Sequence, residues 1–126
     1  MKLLQVAATL LLGRPDDVPP PSAGPPLPRG VTVRRGRLVP RIGGLLLRSR
    51  RPAAAVALRR TIIVDPEARL TPDLLAHELE HVRQWADDPL FPIRYTLATL
   101  RHGYRDNPYE VEARAAADRH SGSMKG

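Results

Sequence analysis

The residues with the clearest chemical meaning are two histidines four positions apart with a glutamate between them. On a helix, His77 and His81 project from one face about one turn apart. That separation allows two histidines to bind one tetrahedral metal ion, usually zinc. Glu78 projects to the neighbouring side, where a carboxylate can act on water without binding the metal. The pattern therefore predicts a metal site with a base beside it.

A catalytic zinc ion needs a third protein ligand and one open position for water. Residues 107–118 offer two candidates, Glu110 and Glu112, on a predicted later helix. Glu110 shares a helix face with Ala113 and Ala117, and small residues allow one helix to pack closely against another. We therefore expect Glu110 to be the third ligand, with Glu112 as the alternative.

The helix that positions the histidines has a clear start signal. Thr71 is a hydroxyl-bearing cap, Pro72 suits the first helical position, and Asp73 places an acid in the first turn. These residues predict a helix over 72–87, which ends before the next prolines. The apolar residues expected to face the core are Leu75, Leu79, Val82 and Ala86.

Two further helices are predicted downstream. The first covers about 92–102, and the second covers about 107–119. The second starts with an asparagine cap and a proline at its first position. The apolar residues that share one side of the first of these helices are Ile93, Leu97 and Leu100.

The front half of the chain favours strands. Residues 59–65 have a β-branched core and form the clearest strand. Residues 30–47 are expected to form a short strand pair around Gly36, with Pro40 confining the second strand to an edge. The pattern over 53–58 fits either a helix or a strand.

Together these elements predict an α+β fold in which a small antiparallel sheet precedes three helices. Residues 1–28 are expected to be an N-terminal apolar stretch and a proline-rich linker, since seven of the fourteen positions 15–28 are proline. Residues 29–120 are expected to form the domain, and 121–126 a flexible tail.

The composition excludes several kinds of chemistry. The chain of 126 residues contains no cysteine, so a disulfide framework, a thiolate zinc cluster and a cysteine nucleophile are ruled out. Any metal site must therefore use histidine, aspartate or glutamate.

The charge is distributed unevenly. The chain carries a net +7, with about +10 on residues 1–63 and about −3 on residues 64–126. This asymmetry favours an acidic partner. Nucleic acid is not the expected main partner, because aromatic residues are few and no docking helix is recognisable. A protein partner that contacts the basic front half is the better expectation.

No segment of the sequence is long and apolar enough to span a membrane. The longest apolar stretch, residues 3–13, is far shorter than the roughly 20 residues required. It makes a poor signal peptide, because Arg14 and Pro15 follow where small residues should mark a cleavage site. We therefore expect a cytoplasmic protein, with export as the alternative.

The segment LLAHELEHVRQW, residues 74–85, followed by a glutamate on a later helix, resembles the gluzincin metallopeptidases. Together with GYRDNPYEVEAR, residues 103–114, it also resembles small bacterial proteins of unknown substrate that share an AHELxHVxQ core. The resemblance covers roughly residues 61–117. One departure is Arg114, where such families often have aspartate or asparagine.

This resemblance implies a zincin-like domain that hydrolyses peptide bonds with a zinc-activated water. Glu78 would be the general base, and His77, His81 and Glu110 would bind Zn²⁺. The resemblance also implies that the strand 59–65 binds a peptide or protein substrate by pairing with it as an extra strand.

The alternative function is a non-catalytic binding module. Zinc would then stabilise a scaffold that docks through its arginine-rich front half to a protein assembly or to nucleic acid. Glu78 favours the enzyme, because a purely structural metal site does not need a base beside an open position.

Peptide hydrolysis also needs a hydrogen-bond donor to the substrate oxygen that becomes negatively charged. His102, Tyr104 and Tyr109 are the candidates near the predicted ligands, and the sequence does not choose among them. Glu80 and Arg83 are expected to form an ion pair at i, i+3.

Overall fold

The computed structural model describes residues 13–15, 26–46 and 53–125. These residues form an α+β protein, which confirms the predicted fold class. They divide into two compact units: the first contains the described residues among 13–15 and 27–70, and the second contains residues 71–125. The N-terminal apolar stretch and most of the proline-rich linker lie outside the described residues, so what was predicted for them stays a prediction.

The first unit is built on a mixed sheet rather than the purely antiparallel sheet that was expected. Its strands are β1 (Arg14–Pro15), β2 (Thr32–Arg35), β3 (Ala55–Leu58) and β4 (Thr61–Val64), arranged in the order β1, β2, β4, β3. β2 and β4 are parallel, whereas the two outer pairs are antiparallel. The parallel pair arises because a helix and β3 intervene between β2 and β4, which forms a crossover connection.

The second strand expected after Gly36 is a helix instead. This helix, α1 (Leu38–Leu46), has Pro40 at its third position. A backbone nitrogen in the first helical turn has no intrahelical partner, so proline is tolerated there. The proline that we interpreted as a sign of a sheet edge therefore belongs to a helix start. Residues 53–58, which were left open between helix and strand, contain β3.

β4 is a central strand with neighbours on both sides. Residues 62–64 are fully buried and form much of the core of the first unit. Both edges of β4 pair within the sheet, with β2 on one side and β3 on the other. A peptide cannot add to a strand whose edges are already paired. The expectation that 59–65 binds substrate as an extra strand is therefore wrong.

A tight turn at Arg59 and Arg60 connects β3 to β4. Arg59 has φ of 56°, in the left-handed region that costs a non-glycine residue about 1–2 kcal/mol. We expect Arg59→Gly to raise the free energy of unfolding of the first unit by about 0.5 kcal/mol, after the greater chain entropy of unfolded glycine is subtracted. Slower amide hydrogen exchange in β4 would report the gain.

Arg60→Gly is the matched control for this substitution. Arg60 is not among the described non-glycine residues with positive φ, so glycine at that position relieves no strain, adds chain entropy to the unfolded state and removes a side chain that lies beside Gly30. This variant should exchange the β4 amides faster than the parent protein. Equal destabilisation by the two substitutions would contradict the account of the turn.

The second unit begins with the predicted helix that carries both histidines. This helix, α2 (Pro72–Asp87), has the predicted bounds, and Oγ1 of Thr71 accepts a hydrogen bond from the backbone nitrogen of Leu74 at 3.1 Å. Of the four residues predicted to face the core, Leu75 and Val82 are buried, Leu79 is half-buried and Ala86 is exposed.

The next helix, α3 (Phe91–Asp106), has a kink at Gly103, where φ is 80°, and presents its aliphatic side to the outside. Ile93, Leu97 and Leu100 share one side of the helix, as predicted, and all three are exposed. Phe91 is buried, and its ring contacts those of Tyr95 and Tyr109. Aromatic side chains therefore take the inner face of α3, and its leucines do not.

The last helix, α4 (Pro108–Lys125), is separated from α3 by Asn107 and extends beyond the predicted end near Arg119. Asn107 is fully buried, and its Oδ1 accepts from the backbone nitrogen of Tyr109 at 3.0 Å. Its Nδ2 donates to the carbonyl of Tyr95 at 3.2 Å and to Oγ1 of Thr99 at 2.9 Å. Asn107 is thus the predicted cap of α4, and it also fixes α4 to α3.

Candidate metal centre

Side chains from two helices of the second unit meet at one point. α2 contributes His77 and His81, and α4 contributes Glu110. Nε2 of His81 lies 2.6 Å from Oε1 of Glu110, and Nε2 of His77 lies 3.4 Å from Oε2 of the same carboxylate. One ligand atom from each residue lies within 4.8 Å of the other two. The structure therefore brings the three predicted ligands together.

Glu112, the alternative third ligand, lies outside this cluster. Its side chain is 55% exposed, whereas that of Glu110 is 3% exposed. The Glu112 carboxylate accepts a hydrogen bond from Nε2 of Gln84 at 3.1 Å and lies 3.6 Å from Nη2 of Arg83. Arg83 also pairs with Glu80, as predicted. The geometry thus selects Glu110.

Two features of α4 explain why Glu110 reaches the histidines. Ala113, one turn after Glu110 on the same face, is completely buried, and its small side chain permits close approach of the helices. Asn107 caps the first turn of α4 and fixes the point where the helix begins. Packing and capping therefore place the carboxylate of Glu110.

Gln84 sets the orientation of the His81 ring. Nδ1 of His81 lies 2.7 Å from Oε1 of Gln84, while Nε2 of Gln84 donates to the carbonyl of Tyr109 at 3.0 Å. Since the amide oxygen of Gln84 can only accept, Nδ1 of His81 is the donor. Nε2 of His81 lies 2.6 Å from Oε1 of Glu110 and donates to it without a metal ion; loss of that proton would leave the lone pair that can bind a metal ion.

Two tyrosines of α3 also interact with the Glu110 carboxylate. The hydroxyl of Tyr95 donates to Oε1 of Glu110 at 3.2 Å. Tyr104 also interacts with this carboxylate through its hydroxyl. Desolvation first, and the charge of Glu110 second, raise the pKa of both tyrosines, so both remain protonated donors at neutral pH.

The ionisable groups of the cluster influence each other strongly. Burial alone would raise the pKa of Glu110, but its contacts with His77 and His81 hold that pKa well below its usual range. Burial would lower the pKa of His81, but the carboxylates of Glu110 and Glu78 raise it above its ordinary value. For Glu78, burial dominates the two nearby histidines, and its pKa is raised.

Buried carboxylate oxygens show that the cluster fits a cation. Oε2 of Glu78 and Oε2 of Glu110 have no hydrogen-bond partner within the part of the chain that the structure describes. An unpaired buried polar atom costs about 1–3 kcal/mol, so such atoms are rare. A divalent cation between His77, His81 and Glu110 would supply the missing positive charge. Two imidazoles and a carboxylate are a typical ligand set for such an ion.

Glu78 lies beside the ligand set without belonging to it. It follows His77 on α2 and is buried, and its pKa responds to the two histidines and to Glu110. The group that could hold a metal ion consists of the other three residues. The structure thus places a buried carboxylate beside three residues that could hold a metal ion.

Sequence reasoning missed Gln84 and Tyr95. Gln84 stands three positions after His81, a spacing at which helical side chains meet, so this partner was recoverable from the sequence. Tyr95 lies on a different helix from both histidines and from Glu110. Its contact with Glu110 depends on how α3 packs, and no local pattern signals it.

Among the earlier donor candidates, Tyr104 is the one that contacts the cluster through its side chain. The ring of Tyr109 packs against Phe91, and its backbone carbonyl accepts from Gln84. His102 is exposed on α3. The side chain of Tyr104 is therefore the best placed of the three to act on a bound molecule.

No protein-family model, curated protein or solved structure matches this chain. The resemblance to gluzincins thus depends on the motif residues themselves. Among the described residues, no helix has the length and hydrophobicity needed to cross a membrane.

The role of Gln84 can be tested through metal affinity. We expect Gln84→Met to weaken zinc binding about 10–100-fold, because the His81 ring loses the acceptor that fixes its orientation. Competition with a zinc-binding indicator measures the affinity directly. Glu112→Gln is the control, since it alters a neighbour of Gln84 without touching His81. Equal affinity in the Gln84 variant and the parent protein would contradict this role.

Proposed function

We propose that this protein is a zinc-dependent metallopeptidase. The observation that carries the proposal is Glu78, a buried carboxylate that lies next to three convergent metal ligands and is not one of them. A structural zinc site is normally closed by four protein ligands and needs no additional acid. Three ligands with a separate carboxylate are typical of sites that hydrolyse a substrate.

The residues that would bind the ion are His77, His81 and Glu110. Zinc bound there supplies a Lewis acid, which acidifies water and polarises a carbonyl group. The protein contributes the fixed geometry of the ligands. Gln84 holds His81 in the tautomer that can bind the ion, and Tyr95 anchors the Glu110 carboxylate.

Glu78 would handle the proton during hydrolysis. Its carboxylate accepts a proton from the attacking water and delivers it to the nitrogen of the leaving amine. Burial limits proton exchange between this carboxylate and bulk water. Its unpaired Oε2 is available for a hydrogen bond with that water.

Tyr104 is our candidate for stabilising the substrate oxygen that gains negative charge. Its hydroxyl reaches Glu110, yet 41% of the residue is exposed, so a substrate can approach it. A hydroxyl that is already in position before the reaction stabilises the negative charge on the substrate oxygen, because the protein does not have to rearrange when that charge forms.

The alternative of a binding module that docks through arginines has weaker support. Arg34 and Arg35, at the end of β2, donate to the backbone carbonyls of Gly13 and Ala68, both at 2.9 Å. Two of the front-half arginines therefore stabilise the first unit itself. This alternative also gives no function to the buried carboxylate of Glu78.

Elemental analysis of untagged protein, purified without chelator, tests the metal site. We expect about one zinc per chain in the parent protein, and loss of that zinc in His81→Ala and in Glu110→Gln. Zinc should remain in Glu78→Gln and in Glu112→Gln, which is the matched control for Glu110→Gln. Absence of zinc from the parent protein, even after reconstitution, would overturn the proposal.

Cleavage of a peptide library by the zinc-loaded protein tests the reaction. Glu78→Gln should lower kcat about 10²–10⁴-fold because the proton acceptor is lost. Tyr104→Phe should lower kcat about 10²-fold while zinc content stays at the parent level. Tyr109→Phe, whose ring packs against Phe91, is the matched control. A zinc-loaded protein that cleaves nothing would reject the peptidase and favour the binding module.

A further inference from the structure

The outer face of α3 carries a continuous exposed apolar surface. We call it the apolar stripe, and its residues follow helical spacing along one side of the segment. Their exposed fractions range from 50% to 78%, although aliphatic residues in helices usually mark a buried face. The residues of the apolar stripe are Leu90, Ile93, Leu97 and Leu100.

A row of arginines runs along one flank of the stripe. Arg94 and Arg101 stand at i and i+7, so they lie on the same side of α3, and Arg105 follows just beyond the kink at Gly103; all three are exposed. Arg94 is paired with Asp88 at 2.8 Å. Residues 89–105 include no aspartate or glutamate, and the nearest acids in the sequence, Asp88 and Asp106, flank this segment; Arg101 and Arg105 thus give the surface its positive charge.

The charge distribution decides which partner fits this surface. A second copy of the chain, meeting this one face to face, would cover the leucines but would bring no acid from 89–105 to its arginines. The apolar stretch 3–12 of this chain has the same shortcoming, because it holds no acid. An anionic lipid surface provides both an apolar layer and negative headgroups.

We propose that the apolar stripe and the arginine row bind anionic phospholipid membranes, with α3 lying in the plane of the interface. Leu97 and Leu100 enter the boundary between headgroups and acyl chains, and Arg101 and Arg105 contact the phosphates. This arrangement is typical of amphipathic helices that lie on a membrane without crossing it.

The same helix connects this surface to the candidate metal centre. Tyr95, on the opposite side of α3 from Leu97, donates to Glu110. A helix with its side chains is about 10 Å across, so a bound membrane would lie roughly that far from the cluster. If the proposed peptidase function holds, on which this step alone depends, its substrates are peptide segments close to a membrane surface.

A fluorescent probe at one stripe position gives a direct test. The chain has no cysteine, so Leu97→Cys can be labelled uniquely with an environment-sensitive dye, and Val111→Cys on α4 serves as the matched control. Val111 is 48% exposed and lies outside the stripe. With zinc-loaded protein we expect a blue shift only for the Leu97 label. It should occur with vesicles containing phosphatidylglycerol and not with pure phosphatidylcholine.

Vesicle sedimentation separates the two parts of the surface. Replacing Leu97 and Leu100 together by serine should weaken binding at least about tenfold, because apolar burial is lost. Replacing Arg101 and Arg105 together by glutamine should weaken vesicle binding about 30-fold. Added salt should weaken vesicle binding of the parent protein, because salt screens the attraction between arginines and headgroups. Ile42→Ser, an exposed apolar change on α1, should have no effect.

Three outcomes would overturn the lipid proposal. The first would be failure of the parent protein to bind phosphatidylglycerol vesicles. The second would be binding of the Leu97/Leu100 variant as tight as that of the parent. The third would be a dimer formed through the apolar stripe. The dimer would appear in sedimentation equilibrium of the parent protein and disappear in the serine variant. None of these results changes the zinc content, so failure of this proposal leaves the metal centre to its own test.

Discussion

The contact between His81 and Glu110 is the interaction on which the second unit depends. It joins α2 to α4 through two buried side chains whose atoms lie 2.6 Å apart. Burying ionisable groups is unfavourable unless they are paired, and here two histidines and two glutamates share one buried region. A cation bound between these side chains would offset the negative charge of the two carboxylates. Metal binding at this cluster would therefore stabilise the packing of α2 against α4, as expected for a small domain with a limited core.

The sequence identified the parts of the site that depend on local geometry. The bounds of α2 followed from Thr71 and Pro72, and the shared face of His77 and His81 followed from helical periodicity alone. Choosing Glu110 over Glu112 needed one further step, because Ala113 marks the face of α4 that packs closely. Each of these inferences uses residues separated by no more than a few helical turns.

The features that sequence reasoning missed depend on contacts between distant residues or on competition between signals. The parallel pairing of β2 with β4 joins segments separated by a helix and a strand, and no local pattern specifies it. Pro40 fits both a sheet edge and the first turn of a helix. The inner face of α3 uses Phe91 and Tyr95, so the aliphatic residues, which normally indicate a core, lie outside. That reversal is itself informative, since exposed aliphatic residues beside arginines indicate a surface with a partner.

The most direct measurement is the position of the metal ion. Crystals of the zinc-loaded protein, with data collected on both sides of the zinc absorption edge, would locate any bound zinc by its anomalous signal. A single peak within coordination distance of His77, His81 and Glu110, with Glu78 outside the ligand set, is the expected result. A peak elsewhere, or direct coordination by Glu78 as a fourth protein ligand, would contradict the assignment of a hydrolytic centre.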